Sequence, residues 1–300
     1  MKKSAVLFIV GFLLVLNFVA WQEVFSLYGS HYLKVVFLSV GQGDAEFIET
    51  PEGHQILIDG GPNATVLGKL SENMPVWDKT IDLVILTHPE SDHMQGILYA
   101  LQRYKADYIL WSGIKKSAPE YYAWMKILAY QKNMGAKIIV AQSGAGLPAG
   151  RQEIKAGNVL IDTIYPLQSM EGKEMKSSSN DSCVVSKIIY GKNSFLFTGD
   201  IDTKAEKEIV GEIIWHGSGQ DILANVLKVA HHGSKYSTSD LFLASVTPKF
   251  AVIEVGKNSY GHPTPETLQR LQNFGIKVLR TDINGDVTFI SDGNNITLGK

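Results

Sequence analysis

Residues 82–88 read DLVILTH, and the next eight residues read PESDHMQG. No polar residue alternates into the run after Asp82, so this is the pattern of a strand covered on both faces. The segment from Met94 to Tyr104, apolar at helical spacing, supplies a covering helix. A chain with such a strand reads as an α/β protein in which a sheet lies inside its layers. At the strand's end, His88, Glu90, Asp92 and His93 place four potential metal ligands within six residues.

The pattern recurs along the chain. LKVVFLSV, EFIET, QILIDGG, AKIIVA, VLIDTIYP, CVVSKIIYG, NSFLFTGD and NVLKVAHHGS all read as strands, with helices expected over PEYYAWMKILAYQKNMG and about Thr203–Val210. FAVIEVG, PTPETLQRLQNFG and IKVLRT continue the alternation, and GDVTFISDG closes it. Polar groups able to coordinate stand where apolar strands stop: Asp59 after QILI, His88 after DLVILT, Asp200 after SFLFTG and His231 after VLKVA. Strand ends are rigid and can converge on one edge of a sheet, which suits a site needing precise placement.

The 300 residues and 45% hydrophobic content suffice for a large core, and no Pro/Ser-rich linker divides the chain. A net charge of -2 provides no overall electrostatic attraction for nucleic acid, though a local groove is invisible in a sum. The single cysteine, Cys183, excludes an internal disulfide and a cysteine-based zinc cluster. It sits in a strand-like run and reads as buried packing.

The N-terminus is different. Lys2 and Lys3 precede an apolar run from Ala5 to Ala20 that only Asn17 breaks, with Trp21 at its end. That length lies between a signal-peptide core and the roughly 20 residues of a full span. The poor supply of small residues ahead of Trp21 favours an uncleaved anchor over a cleaved signal. The two lysines hold the N-terminus in the cytoplasm, so the remainder lies outside the membrane, or is secreted if the segment is removed. We therefore expect an anchor or signal with its linker over residues 1–30 and one catalytic domain over residues 31–300.

Imidazole and carboxylate are ligands for divalent first-row metals. Residues two apart in a loop between strand and helix, such as His88 with Glu90 or Glu90 with Asp92, can face one centre. Asp92 and His93, being adjacent, point apart and can serve different ions. The run suits two metals about 3.5–4 Å apart. An acidic helix cap at Ser91 or Asp92 would explain one of these residues but not the two histidines.

The spacing His88, Glu90, Asp92, His93 resembles the His-x-His-x-Asp-His signature of the metallo-β-lactamase superfamily, with Glu90 in the position of the second histidine. LIDGG at 57–61, FTGD ending at Asp200, and KVAHHGS resemble further motifs of that superfamily. LSVGQGDA, NDSCVV, AHHGSKYSTS and YGHPTPETLQRL are similar to the extracellular hydrolase domain of ComEC-type DNA-uptake proteins. The resemblance covers roughly residues 33–292; the many-helix channel region of such proteins is absent from this sequence, so a role in DNA uptake does not carry over with the chemistry.

The resemblance implies an αββα sandwich of two sheets flanked by helices. It also implies a metal set of His88, Glu90, Asp92, His93, Asp200 and His231, with Asp200 bridging two ions. Asp59, Asn180 and His232 would support these ligands from behind. Glu90 and Asn180 both stand where many members have histidine, an oxygen-rich change that favours Mn²⁺ or Mg²⁺ over a nitrogen-rich set; we expect two Mn or Zn ions. Asp92 would orient the attacking water or take its proton, and His262 would act as acid or hydrogen-bond donor at a phosphate. Asp44, Ser234 and Lys235 are candidate substrate contacts, and the helical aromatics Tyr121, Tyr122, Trp124 and Tyr130 read as half core and half surface rather than as a base-stacking platform. The expected function is a metal-dependent hydrolase, foremost a nuclease or phosphodiesterase acting on single-stranded DNA or another phosphodiester. A small-ester or lactone hydrolase and a non-catalytic binding module on the same fold are the alternatives.

Overall fold

The computed structural model describes residues 3–28, 32–143, 152–174, 179–216 and 222–299. Lys2, which entered the reading of topology, lies outside the described residues. Helix α1 (Lys3–Tyr28) outlasts the apolar run, and its Lys3–Trp21 part is long and apolar enough to cross a membrane.

After it come β1 (Leu33–Phe37), β2 (Ala45–Glu49), β3 (Gln55–Asp59), α2 (Thr65–Asn73), β4 (Thr80–Leu86), α3 (Ser91–Ala100), β5 (Lys105–Trp111), α4 (Pro119–Asn133) and β6 (Lys137–Val140). The second half contains β7 (Gln152–Ala156), β8 (Val159–Tyr165), β9 (Val185–Tyr190), β10 (Asn193–Phe197), α5 (Thr203–His216), β11 (Val226–Lys228), α6 (Asp240–Val246), β12 (Phe250–Ile253), α7 (Pro265–Asn273), β13 (Lys277–Arg280), α8 (Thr281–Asn284), β14 (Val287–Ser291) and β15 (Ile296–Leu298).

The strands form two mixed sheets, β15-β14-β1-β2-β3-β4-β5-β6 and β13-β12-β11-β10-β9-β8-β7. Alternate side chains of β1 show why both faces are dry. Val35 and Phe37 enter the core between the sheets, whereas Val36 and Leu38 pack outward among residues of α2, α3 and α4. In β4, Leu83 and Ile85 point inward while Val84 and Leu86 point out, as expected for DLVILTH. A separate cluster containing Ile209, Phe242 and Leu271 covers the second sheet with α5, α6 and α7. Phe37 locks the two sheets together, its ring 5.7 Å from that of Phe197 and 6.0 Å from that of Phe289. The result is the αββα arrangement.

Three readings change in detail, the first being the helix expected from Met94 to Tyr104, which runs from Ser91 to Ala100. NVLKVAHHGS is not strand throughout: β11 stops at Lys228, and residues 230–233 form a tight helical turn. The helix expected over about Thr203–Val210 continues to His216. Strands β3 and β4 run parallel, as do β10, β11 and β12, so their C-terminal ends collect at one edge of the sandwich.

Candidate metal centre

Three loops meet at that edge because their contact points lack side chains. A Cβ on Gly43, in the turn after β1, would come within 2.2 Å of the Asp92 carbonyl oxygen. A Cβ on Gly96, in α3, would fall 1.7 Å from the Gly60 carbonyl oxygen. Backbone bonds then tie the loops together: Asp44 N donates to Asp92 O at 3.2 Å, Gly60 N to His93 O at 2.8 Å, and Gly61 N to Asp44 O at 2.7 Å.

Asp59 ends β3 in the left-handed region at φ 52°, a conformation that aspartate tolerates better than most residues. Its carboxylate is fully buried. One oxygen accepts from Thr87 N at 2.8 Å; the other accepts from Thr87 Oγ1 at 2.5 Å and lies 2.7 Å from His93 Nδ1. Thr87 Oγ1 in turn sits 3.1 Å from His88 Nδ1. Holding the Nδ1 side of each ring leaves both Nε2 atoms facing the site. Asp59 thus touches the Nδ1 side of His93, where the sequence expectation placed it.

The Nε2 atoms of His88, His93 and His232 and Oδ1 of Asp200 are buried without a hydrogen bond. Asp200 Oδ2 lies 3.4 Å from His93 Nε2, 3.6 Å from His232 Nε2 and 3.8 Å from His231 Nε2, and His232 Nε2 lies 3.3 Å from Asp92 Oδ2. Buried imidazole nitrogens and carboxylate oxygens held this close are costly unless protons or a cation lie among them. Among the described residues four groups are close enough to hold an ion: His88 with His93 and Asp200, Asp92 with His93 and His232, Asp44 with Asp59 and His93, and Asp44 with Asp200 and His232. Lys228 already occupies Asp44 and Thr87 occupies Asp59, which leaves the first two as the ion-holding groups. Donors of nitrogen and oxygen, without thiolate, fit the divalent metals expected from the sequence.

The structure distributes the expected residues unevenly. His88, Asp92, His93 and Asp200 come together. His232, assigned a supporting role, enters the centre; its Nδ1 is held 2.8 Å from Glu254 O and 3.2 Å from Asp44 Oδ1. His231, assigned as a ligand, stands at the more open rim, with Nδ1 3.5 Å from the Asn180 side-chain amide. Both histidines adopt left-handed backbone, φ 52° and 51°. Glu90 belongs to neither ion-holding group; its carboxylate pairs with Lys116 at 2.7 Å while still lining the cleft.

Asp44, a candidate substrate contact, is 1% exposed and lies beneath the centre, paired with Lys228 and His232. Ser234 is buried in its turn, where its Oγ accepts from Tyr236 N at 3.3 Å. Lys235 is exposed, with its ammonium 5.2 Å over the Tyr236 ring. His262 reaches the cleft, its ring 5.6 Å from that of His231 and 6.0 Å from that of Tyr260. Tyr121 and Trp124 pack in the outer core, and Tyr122 and Tyr130 are exposed.

Lys228 escaped the sequence reading, although a lysine inside the apolar run VLKVA is a visible anomaly. It is fully buried, donates to Gly199 O at 2.8 Å, contacts Asp44 and lies 3.5 Å from Asp200 Oδ1. Burial opposes its charge, but Asp44 and Asp200 outweigh burial and hold it as ammonium. The same contest governs the histidines. Burial and the neighbouring His93 push His88 down to about 3, so it is a neutral ligand. Burial resists charging His232 too, yet Asp200 and Asp44 lift it to about 10; Asp200, Asp44 and Asp59 likewise carry His93 well above its ordinary value. Burial would raise Asp92 and Asp200, but His93 and His232 pull both below the usual carboxylate range. In the metal-free protein, protons on His93 and His232 therefore balance the carboxylates, and a bound cation would displace them.

Above the centre opens a cleft of about 410 Å³, lined by Gln42, Asp92, Asp200, His231, Tyr260 and His262 among others. Tyr260 and Gln42 were not singled out in the sequence because neither carries ligand chemistry or a distinctive spacing.

Residues 38–256 match the metallo-β-lactamase superfamily. ComE operon protein 3 of Bacillus subtilis (strain 168) is 30% identical over 282 residues, covering 85% of this chain and 33% of that protein. Competence protein ComA of Neisseria gonorrhoeae is 28% identical over 256 residues, covering 85% of this chain and 32% of that protein. These relatives agree with the ComEC-type resemblance in the motifs, and the chain spans about a third of their length. Among solved structures, Igni18, a metallo hydrolase from Ignicoccus hospitalis KIN4/I, superposes with a TM-score of 0.51 at 20% identity, covering 86% of this chain and 98% of that one. CmlA, a diiron β-hydroxylase from Streptomyces venezuelae, gives 0.52 at 13% identity, covering 85% and 53%. Both share the fold. With a match that runs through Asp59, the His88–His93 loop, Asp200 and His232, this chain belongs to the metallo-β-lactamase superfamily, whose fold binds divalent metals and whose members are generally metal-dependent hydrolases.

Proposed function

We propose that residues 31–300 form a metal-dependent phosphodiesterase, foremost a nuclease, carried by α1 at the outer face of the cytoplasmic membrane. The observation carrying this reading is the convergence of the His88, His93 and His232 imidazoles with the Asp92 and Asp200 carboxylates beneath an open cleft. The donor set of His88, Asp92, His93, Asp200 and His232 would suit two divalent ions, Mn or Zn. Such ions supply Lewis-acid charge at a phosphate ester and lower the pKa of water.

The chain's own groups supply the rest. Asp92 Oδ2, held in its ionised form, accepts a proton from the attacking water or fixes its direction. Burial, with His231 and His232 beside it, lowers the pKa of His262, so at neutral pH its imidazole serves as a neutral hydrogen-bond donor to a phosphate oxygen. Tyr260, 74% exposed next to His262, offers a face on which an unpaired base can stack. That combination favours single-stranded nucleic acid over a small ester. The competence proteins among its relatives support a nucleic-acid substrate.

The test incubates the full chain with single-stranded DNA, duplex DNA and bis-p-nitrophenyl phosphate, each with Mn²⁺, Zn²⁺ or EDTA. EDTA-sensitive cutting of DNA is the expected outcome. Turnover of small esters alone would replace the nuclease reading, and inertness in every arm with metal bound would leave a binding module.

A further inference from the structure

We infer that the turn between α2 and β4 dips into the surface of the bilayer that α1 enters, so that the domain stands with its metal centre pointing away from the membrane. This rests on the anchor reading of α1. Pro75 to Asp78 form a closed turn, with Asp78 N donating to Pro75 O at 3.0 Å and Val76 and Trp77 at its corner. Val76 is 81% exposed and Trp77 83%, the highest values for large apolar side chains among the described residues after α1.

The turn is not a loose loop. Met74 on one side is buried, and Asp78 on the other accepts from Gln55 Nε2 at 2.9 Å and from Thr80 N at 3.0 Å. A pinned turn that exposes a tryptophan and a valine bears the cost of wetting them unless something apolar covers the tip.

Topology identifies the cover. Strand β1 is antiparallel to β2, β2 is antiparallel to β3, and β3 is parallel to β4. Leu33, Gln55 and Thr80 therefore start their strands at one end of the sandwich, and the metal centre occupies the other. Lys34 Nζ donates to Asn73 Oδ1 at 2.8 Å, joining the start of β1 to the end of α2, just before the turn. Helix α1 ends at Tyr28 and β1 begins at Leu33. The apolar span ends at Trp21, the helix from there to Tyr28 adds about 10 Å, and five residue steps reach at most about 18 Å more, so a membrane-held α1 keeps this end of the domain on the membrane side.

The chemistry matches an interface. Tryptophan favours the headgroup level, and exposed Lys79 and Arg103 lie close by, at the starts of β4 and β5, for anionic lipid phosphates. Glu72 is an exposed acid on the same side. Strand β4 has seven residues, so the centre would stand on the order of 20–25 Å above the membrane surface. Nucleic acid could then enter the cleft from solvent without meeting anionic lipid.

The full chain carrying Val76→Cys, or Ile283→Cys as a control, is labelled with bimane and reconstituted into phosphatidylcholine–phosphatidylglycerol vesicles. Cys183 is buried, and Ile283 is exposed in α8, which follows β13 at the site end. Lipids bearing a shallow nitroxide should quench the label at 76 several-fold more strongly than that at 283. Flotation with the vesicles but equal quenching at both positions would overturn the docking and leave the anchor standing. Failure to float would overturn both.

Discussion

Replacing Asp59 by asparagine changes almost no volume but removes the acceptor that fixes two histidines. The carboxylate receives Thr87 N at 2.8 Å and Thr87 Oγ1 at 2.5 Å, and lies 2.7 Å from His93 Nδ1. In Asp59→Asn, one arm becomes an N–H₂ group. If that arm faces His93, Nδ1 must accept rather than donate, and the proton moves to Nε2, where it blocks the lone pair needed for metal. If it faces Thr87 N instead, two buried donors oppose each other at a cost of about 1–3 kcal/mol. Loss of a partner behind a metal-binding histidine typically weakens affinity about 10–100-fold, or about 1.4–2.8 kcal/mol at 1.4 kcal/mol per decade. Competition between the purified protein and a chromophoric chelator measures the affinity, and a melt in EDTA checks that the variant still unfolds cooperatively. Affinity equal to the parent's with a cooperative melt would refute the claim that Asp59 sets the His93 tautomer.

Four further outcomes follow from the same geometry. His232→Ala should remove most metal affinity in the chelator titration while His231→Ala removes little, because only His232 belongs to an ion-holding group; the reverse order would restore His231 as ligand. Lys228→Met leaves Asp44 buried beside a lost cation and should lower stability by about 3–5 kcal/mol, read as a fall in the urea midpoint. Burial and the neighbouring Glu254 hold Glu46, and burial and Asp44 hold Glu254, well above the ordinary carboxyl value. The folded chain thus keeps a proton there that the unfolded chain releases, and stability declines as pH rises above about 4.5. Glu46→Gln should therefore raise the melting temperature at pH 8, with the gain shrinking toward pH 5. His232, lifted to about 10, contributes stability to the chelated protein below about pH 6.5 and loses it as pH rises through about 10, so EDTA-treated protein should melt progressively lower over that range.

The strand ends were legible because two local signals coincide there. An apolar run marks the strand, and the first ionisable residue after it marks the edge where strands converge; Asp59, His88 and Asp200 all follow that rule. What escaped depends on distance or on backbone angles. Glu90 pairs with Lys116, a partner on another loop that no local spacing reveals. The choice between His231 and His232 falls in a turn of two consecutive left-handed residues, and hydrophobic periodicity carries no trace of it. Strand β7 alternates half-buried and exposed residues around only one strong apolar position, Ile154, and so gave too weak a period to find. Lys228 was readable in principle: a charge within a strand buried on both faces needs buried partners, and Asp44 and Asp200 are those partners.

The most direct test counts metal. Elemental analysis of the full chain purified without chelator, with Asp200→Asn alongside, measures the ions per protein. The account predicts close to two divalent ions per chain, and a marked loss in the variant because Asp200 lies between both groups. Fewer than one ion in the parent protein, or equal content in both, would contradict it.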